Sequence, residues 1–229
     1  MIKSETSPTD SPYSPAYFTA QINKSAAKVA WQYGRIMSLA GVKTVAGRHV
    51  LDVGCGAGPG LRYLVAQGAK AVGLDHSFYA LETAQKLVAK AEFILTNGAV
   101  SFPCINQSFD LVLLSEIIEH LSEAKTILTE SRRILKPGGQ IIITTPNLWD
   151  IRRFVASKTW SGFADPTHIN LYTPLRLVTE MREAGFSKLR WRTGIKPLKW
   201  ISAPKLHFRL ALPYPPCIGN GLLVTGFAP

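Results

Sequence analysis

His49-Val50-Leu51-Asp52-Val53-Gly54-Cys55-Gly56-Ala57-Gly58-Pro59-Gly60 sets a short apolar run directly against a glycine-rich turn. A run this short and this apolar reads as a strand covered on both faces. Pro59 suits the first turn of a helix, where its missing N–H would have no helical partner. Glycines without a Cβ let the backbone turn sharply and approach a ligand, and the amino end of the next helix faces the same crevice.

On either side of this segment the sequence alternates between strand and helix patterns. Strands are expected at 48–53, 70–75, 92–95, 109–114, 140–145 and 221–227, and helices at 59–67, 77–90, 122–135 and 173–185. Such alternation predicts right-handed crossovers and a Rossmann-like, doubly wound α/β fold on a mostly parallel sheet. Apolar residues at helical spacing from Tyr17 to Leu39 predict one N-terminal amphipathic helix, and Lys136-Pro137-Gly138-Gly139 predicts a helix stop and a turn. The 229 residues suffice for a single domain over 16–229. The Ser-, Thr- and Pro-rich residues 1–15 are expected to be disordered, and 187–216 to form a basic and aromatic insertion.

Composition excludes several classes. No stretch approaches the roughly 18 to 20 apolar residues of a membrane-spanning helix, and the first 15 residues lack a signal-peptide core, so a cytoplasmic location is expected. Cys55, Cys104 and Cys217 have neither an even number nor paired metal-type spacing, which fits reduced thiols. Basic charge is concentrated late, with 12 Lys/Arg against three acids in 151–229 and 14 against 12 before it. That asymmetry admits nucleic acid, an anionic membrane surface or an acidic substrate as partner.

Asp75 ends the second strand, where a carboxylate can accept from both ribose hydroxyls. The pattern G-x-G-x-x-G meets Pro59 when started at Gly54 and Leu61 when started at Gly56, so a dinucleotide site fails in both registers. No G-x-x-x-x-G-K-[ST] is present. What remains is an adenosine-type ligand of another kind.

Four segments, in order, resemble the class I methyltransferase superfamily and in particular its ubiquinone/menaquinone-biosynthesis type. They are Leu51 to Gly58, Gly73-Leu74-Asp75, Ser108-Phe109-Asp110 leading to Ser115-Glu116-Ile117-Ile118-Glu119-His120-Leu121, and Leu135-Lys136-Pro137-Gly138-Gly139. The resemblance implies S-adenosylmethionine as cofactor and a seven-stranded sheet whose last strand is antiparallel. It implies Asp52 near the methionine part, Gly54, Cys55 and Gly56 against the cofactor, Asp75 on the ribose, and His76 and Ser115 beside them. The family often carries an acid after strand three. Here the loop is Thr96-Asn97-Gly98-Ala99, so Asn97 and Gly98 are expected to meet the adenine instead.

Methyl transfer from a sulfonium requires alignment, exclusion of water and a deprotonated acceptor, with no covalent machinery. Glu116, Glu119 and His120 follow strand four at the ligand-binding edge, and on a helix their spacing would share one face. Two uses compete. The three side chains could hold a divalent ion such as Mg2+, with His168 as a distant further ligand; or Glu119, His120 and His168 serve acid/base and substrate contacts. A structural cluster is the third reading. The expected acceptor is small or lipid-like and methylated on oxygen, less readily on carbon or nitrogen. Nucleic acid ranks second, because base-methylating enzymes usually resemble a pattern of Asn or Asp, Pro-Pro and an aromatic where this chain has Ser115-Glu116-Ile117-Ile118. A non-catalytic adenosine-binding module ranks third. The Trp/basic stretch from Arg190 to Arg209 is expected to cover the acceptor pocket, lie on anionic lipid, or form a solvated edge.

Overall fold

A computed structural model describes residues 15–96, 101–155, 160–194 and 219–229. Its strands are β1 (His49–Val53), β2 (Lys70–Asp75), β3 (Glu92–Leu95), β4 (Phe109–Ser115), β5 (Leu135–Thr145), β6 (Ser187–Thr193) and β7 (Leu222–Phe227). They form one sheet in the order β3-β2-β1-β4-β5-β7-β6. β1 to β5 pair in parallel, and β7 runs antiparallel between β5 and β6. β1 has β2 on one side and β4 on the other, so the crossovers leave it in opposite directions and open a crevice at the carboxyl ends.

Burial on both faces explains the strand composition. In β4, Leu111, Val112, Leu113 and Leu114 are all fully buried, because successive side chains enter opposite cores. Leu111 and Leu113 meet α2 (Ala26–Leu39) and α3 (Pro59–Ala66) through Val29, Ile36, Leu61 and Leu64. Val112 and Leu114 meet α5 (Ala124–Ile134) and α8 (Pro174–Glu183) through Ile127, Leu128, Leu177 and Met181. Thr173 caps α8, accepting from Arg176 N, and Ser77 caps α4 (Phe78–Leu87) by accepting from Ala80 N.

Three expectations need correction. The single helix over 17–39 is two, α1 (Pro15–Ile22) and α2, because Ser25 turns its hydroxyl to Lys28 N at 3.3 Å and starts the second. Lys136-Pro137-Gly138-Gly139 lies inside β5, whose pairing skips from Phe109↔Leu135 to Leu111↔Gln140; Gly138 takes the left-handed turn at φ 74. Residues 187–193, expected to open an insertion, form the edge strand β6. Leu189 and Trp191 are half-buried there while Lys188, Arg190 and Arg192 face solvent, a charged edge that resists further strand pairing.

Residues 1–14, and 195–216 of the expected insertion, lie outside the described residues. Residues 147–172 hold two short helices, α6 (Arg152–Val155) and α7 (Ser161–Ala164). No helix among the described residues is long and apolar enough to cross a membrane.

Leu113→Ala, at the centre of β4, is expected to destabilise the fold by about 2–5 kcal/mol, read as a lower urea midpoint with an unchanged slope.

Candidate active site

The β1–α3 turn builds one wall. Gly54 N and Cys55 N both donate to the Leu74 carbonyl, at 2.7 and 3.1 Å, which binds the turn to β2. Gly56 N donates to Asp75 Oδ2 at 2.8 Å, and Ser77 N to Asp75 Oδ1 at 2.9 Å. Gly54 has φ +68, and a Cβ there would lie 2.5 Å from Ile117 Cγ1. Gly56 has φ +53, and its Cβ would overlap Gln21 Oε1, which accepts from Ala57 N at 3.1 Å. The positive φ of both positions suits glycine, and both line the crevice, with the side chains of Ile117 and Gln21 packed where a Cβ would stand.

Above this turn lies a cavity of about 420 Å³. Asp52, Gly54, Cys55, Gly56, Asp75 and His76 line it, and so does Ser115 from the end of β4. The cysteine thiol is buried, and burial pushes its pKa well up. His76 is about half exposed, with Nδ1 3.4 Å from Asp75 Oδ1. Asn97 and Gly98, the expected adenine contacts, lie outside the described residues.

Asp52 is 3% exposed. Burial, with the Asp75 carboxylate adding to it, pushes its pKa up to about 8. Tyr33 of α2 packs beside it, and burial and the Asp52 charge raise that phenol as well. Gly60 is what admits Asp52, since a Cβ on Gly60 would overlap Asp52 Oδ2.

The other wall follows β4. Glu116 takes a positive φ of 56, and Ile118–His120 make one 3₁₀ turn where a helical face was expected. That turn separates Glu116 from its neighbours. Glu116 lines the cavity, but the side chains that converge are Glu119, His120 and His168, whose ligand atoms lie within 4.8 Å of one another. His168 Nε2 is 3.9 Å from Glu119 Oε1, and the two imidazoles meet edge to face at 4.7 Å. Burial, then the neighbouring His168, lowers the His120 pKa.

The expected set of Glu116, Glu119 and His120 is thus replaced, among the described residues, by a group with metal-ligand spacing made of two imidazoles and one carboxylate. Such a donor set suits a borderline transition-metal ion. Magnesium, which prefers oxygen ligands, finds no support in it.

Sequence reading missed Tyr33 and the roof formed by Tyr17, Phe18 and Gln21 of α1 with Lys24 after it. It also missed Asp165 and Thr167, which carry no motif. Asn147, at the end of β5, serves as a turn amide: its Nδ2 donates to Gly219 O and its Oδ1 accepts from Trp149 N.

A doubly wound sheet that opens at its switch point onto bare glycines and a strand-end carboxylate, without a dinucleotide fingerprint, defines a Rossmann-like domain of the methyltransferase class. The chain belongs to the Methyltransferase domain family, whose model matches residues 27–190. It is 36% identical over 114 residues to a demethylmenaquinone methyltransferase of Tropheryma whipplei (strain Twist), covering 48% of this chain and 46% of that one. It is 34% identical over 112 residues to a ubiquinone biosynthesis O-methyltransferase of Dechloromonas aromatica (strain RCB), covering 45% and 47%. The chain therefore spans about half the length of these curated relatives. A crystal structure of a SAM-dependent methyltransferase from Archaeoglobus fulgidus shares the fold, with TM-score 0.67 and 17% identity over 93% of this chain and 98% of that one.

Because the folded state holds Asp52 at about 8 rather than 3.8, it prefers the protonated carboxyl. Stability from this group is full below the unfolded value and is lost as pH rises towards the folded one. Urea unfolding of the cofactor-free protein is expected to show falling stability from about pH 5 to about pH 9, and Asp52→Asn to flatten that slope.

Proposed function

We propose that this chain is an S-adenosylmethionine-dependent methyltransferase that methylates an oxygen of a small or lipid-like acceptor. The observation that carries the reading is the pairing of two walls across one cavity: bare glycines with Asp52 and Asp75 on one side, and Glu119, His120 and His168 on the other. The relatives named as quinone-pathway methyltransferases support the acceptor class.

S-adenosylmethionine, when bound, supplies an electrophilic methyl on a sulfonium. Asp75, at the end of β2, offers its carboxylate oxygens to the ribose hydroxyls. Asp52 lies where the cationic methionine end belongs, and a cation beside it favours its ionised form. Gly54 and Gly56 let the backbone approach, and Cys55, His76 and Ser115 complete that wall. Asn97 and Gly98 remain the proposed adenine contacts. On the acceptor side, Glu119, His120 and His168 orient a hydroxyl and take its proton, while α1 roofs the cavity against water.

An oxygen acceptor is favoured over carbon because a carboxylate and two imidazoles are the groups that handle a hydroxyl proton. A cytoplasmic location accompanies this reading, in line with the free thiols of Cys55 and Cys104. A nucleic-acid acceptor is the second reading, favoured by the basic last third. Competition by RNA for methylation separates the two.

Calorimetric titration with S-adenosylhomocysteine is expected to show one-site binding that Asp75→Ala weakens at least about tenfold, a loss of roughly 1.4 kcal/mol. Binding of NADH in its place, or none of either, would end the proposal.

A further inference from the structure

α2 carries Lys28, Trp31 and Arg35 at spacings of three and four residues, which puts them on one helix face. All three are exposed, Trp31 by 51%. The helix contains no acid. Arg35 Nη2 donates to the Gly194 carbonyl at 3.1 Å, which joins this face to the end of β6. On β6, Lys188, Arg190 and Arg192 are exposed, while Leu189 and Trp191 turn to the core beneath α8. Arg190 and Arg192 stand beside Thr225 and Leu223 of β7, and Leu223 packs with Val29 and Ile36 of α2. The arginines therefore look out on the side of the sheet that α2 covers, and helix and strand form one surface.

Its charge has one sign. Residues 187–229 contain no Asp or Glu. Glu180 and Glu183, the acids of α8 behind β6, are matched by Arg176 and Lys125. Charge on an edge strand also guards it against pairing, but that role asks neither for cations on the neighbouring helix nor for an exposed tryptophan among them. An anionic leaflet attracts clustered Lys and Arg, and tryptophan settles at headgroup level. A single-stranded nucleic acid asks instead for a row of aromatic rings to stack its bases, and among the described residues this surface offers Trp31 alone.

The surface also points the right way. β6 runs antiparallel to β7, and β7 to β5, so β6 is parallel to β5 and its carboxyl end lies at the edge where the cavity opens. α2 lines that cavity through Gln32 and Tyr33.

We propose that the outer face of α2 and the open face of β6 form a docking surface for an anionic lipid bilayer, with Lys28, Lys188, Arg190 and Arg192 on the headgroup phosphates and Trp31 at the interface. Docking sets the cavity mouth beside the bilayer, within reach of a lipid-dissolved acceptor. The surface is read from charge and exposure and does not rest on the acceptor assigned above.

The test sediments the full chain with vesicles of mixed phosphatidylglycerol and phosphatidylcholine, and with vesicles of phosphatidylcholine alone. Binding is expected to the mixed vesicles only, and to weaken as salt is raised. Arg190→Gln with Arg192→Gln is expected to lower the partition coefficient about twentyfold, from roughly fivefold for each cation near an anionic surface. Lys70→Gln with Lys90→Gln removes the same charge beside β2 and β3, at the far end of the sheet, and is expected to change it by less than about twofold. Mixed vesicles are expected to blue-shift the tryptophan emission, and Trp31→Phe to remove that shift. Equal binding to both kinds of vesicle, binding to neither, an equal loss in the arginine and lysine pairs, or a blue shift kept by Trp31→Phe would overturn the proposal. So would binding of poly-uridylate through the same arginines in place of the mixed vesicles, which assigns the surface to nucleic acid. If the arginine pair does not fold, Lys28→Gln with Lys188→Gln decides in its place under the same expectation. Affinity for S-adenosylhomocysteine without vesicles is expected to be unchanged in every variant, so failure here is distinct from failure of the methyltransferase reading.

Discussion

The Asp75 carboxylate is the hinge on which this architecture turns, for it ties the loop after β1 to the loop after β2. Its two oxygens accept from Gly56 N and Ser77 N, so one side chain fixes the glycine turn and the start of α4 together. A charged acceptor makes these bonds shorter and stronger than neutral ones. The bonds also aim the carboxylate along the carboxyl edge of the sheet, where the strand order reverses and the crevice opens. Together with the bonds from Gly54 N and Cys55 N to the Leu74 carbonyl, they hold the glycine turn against the second strand.

Asp52 adds a second constraint of opposite sign. Burial, and then the neighbouring Asp75 charge, raise its cost of ionisation, and Tyr33 with Gly60 closes it in. A folded protein that holds a carboxyl so far from water is poised to gain when a cation arrives. Buried charge of this kind is a poor stabiliser of a fold. Its presence beside the glycine turn is explained by what the turn is there to hold.

How much of this was legible depended on the range of the interaction. β1, the turn, β2 and Asp75 were readable because strand burial, glycine geometry and the strand-end acid are all written within about 25 consecutive residues. The long parallel sheet followed from the same local patterns. β6 was missed because, although its residues alternate, its outward face is Lys188, Arg190 and Arg192, and three cations in five residues read as a solvated basic segment. Ser25 was missed as a break because the apolar spacing on either side stays in helical phase across it. Glu116 was assigned to the wrong face because its positive φ ends the regular geometry that an i, i+3, i+4 argument assumes. His168 was named, but its neighbour Asp165 and the Thr167 that meets His120 acquire meaning only when the 165–170 loop lies on the 118–121 turn.

The two walls of the cavity therefore differ in how they are encoded, and that difference bears on how such a protein changes its substrate. The cofactor wall is closed by contacts of short span, Gly56 to Asp75 being 19 residues apart. The acceptor wall is closed by contacts such as His120 to Thr167, 47 residues apart, and Asn170 to Leu121, 49 apart. The first lies within the β1–α3–β2 unit, whose strands also carry the core. The second depends on the segment between β5 and α8, which reaches the core through Tyr172 and otherwise runs as short helices and loops. A family can keep one while rebuilding the other. In this chain that segment sets an Asp–Thr pair against His120, with Thr167 Oγ1 2.8 Å from His120 Nδ1.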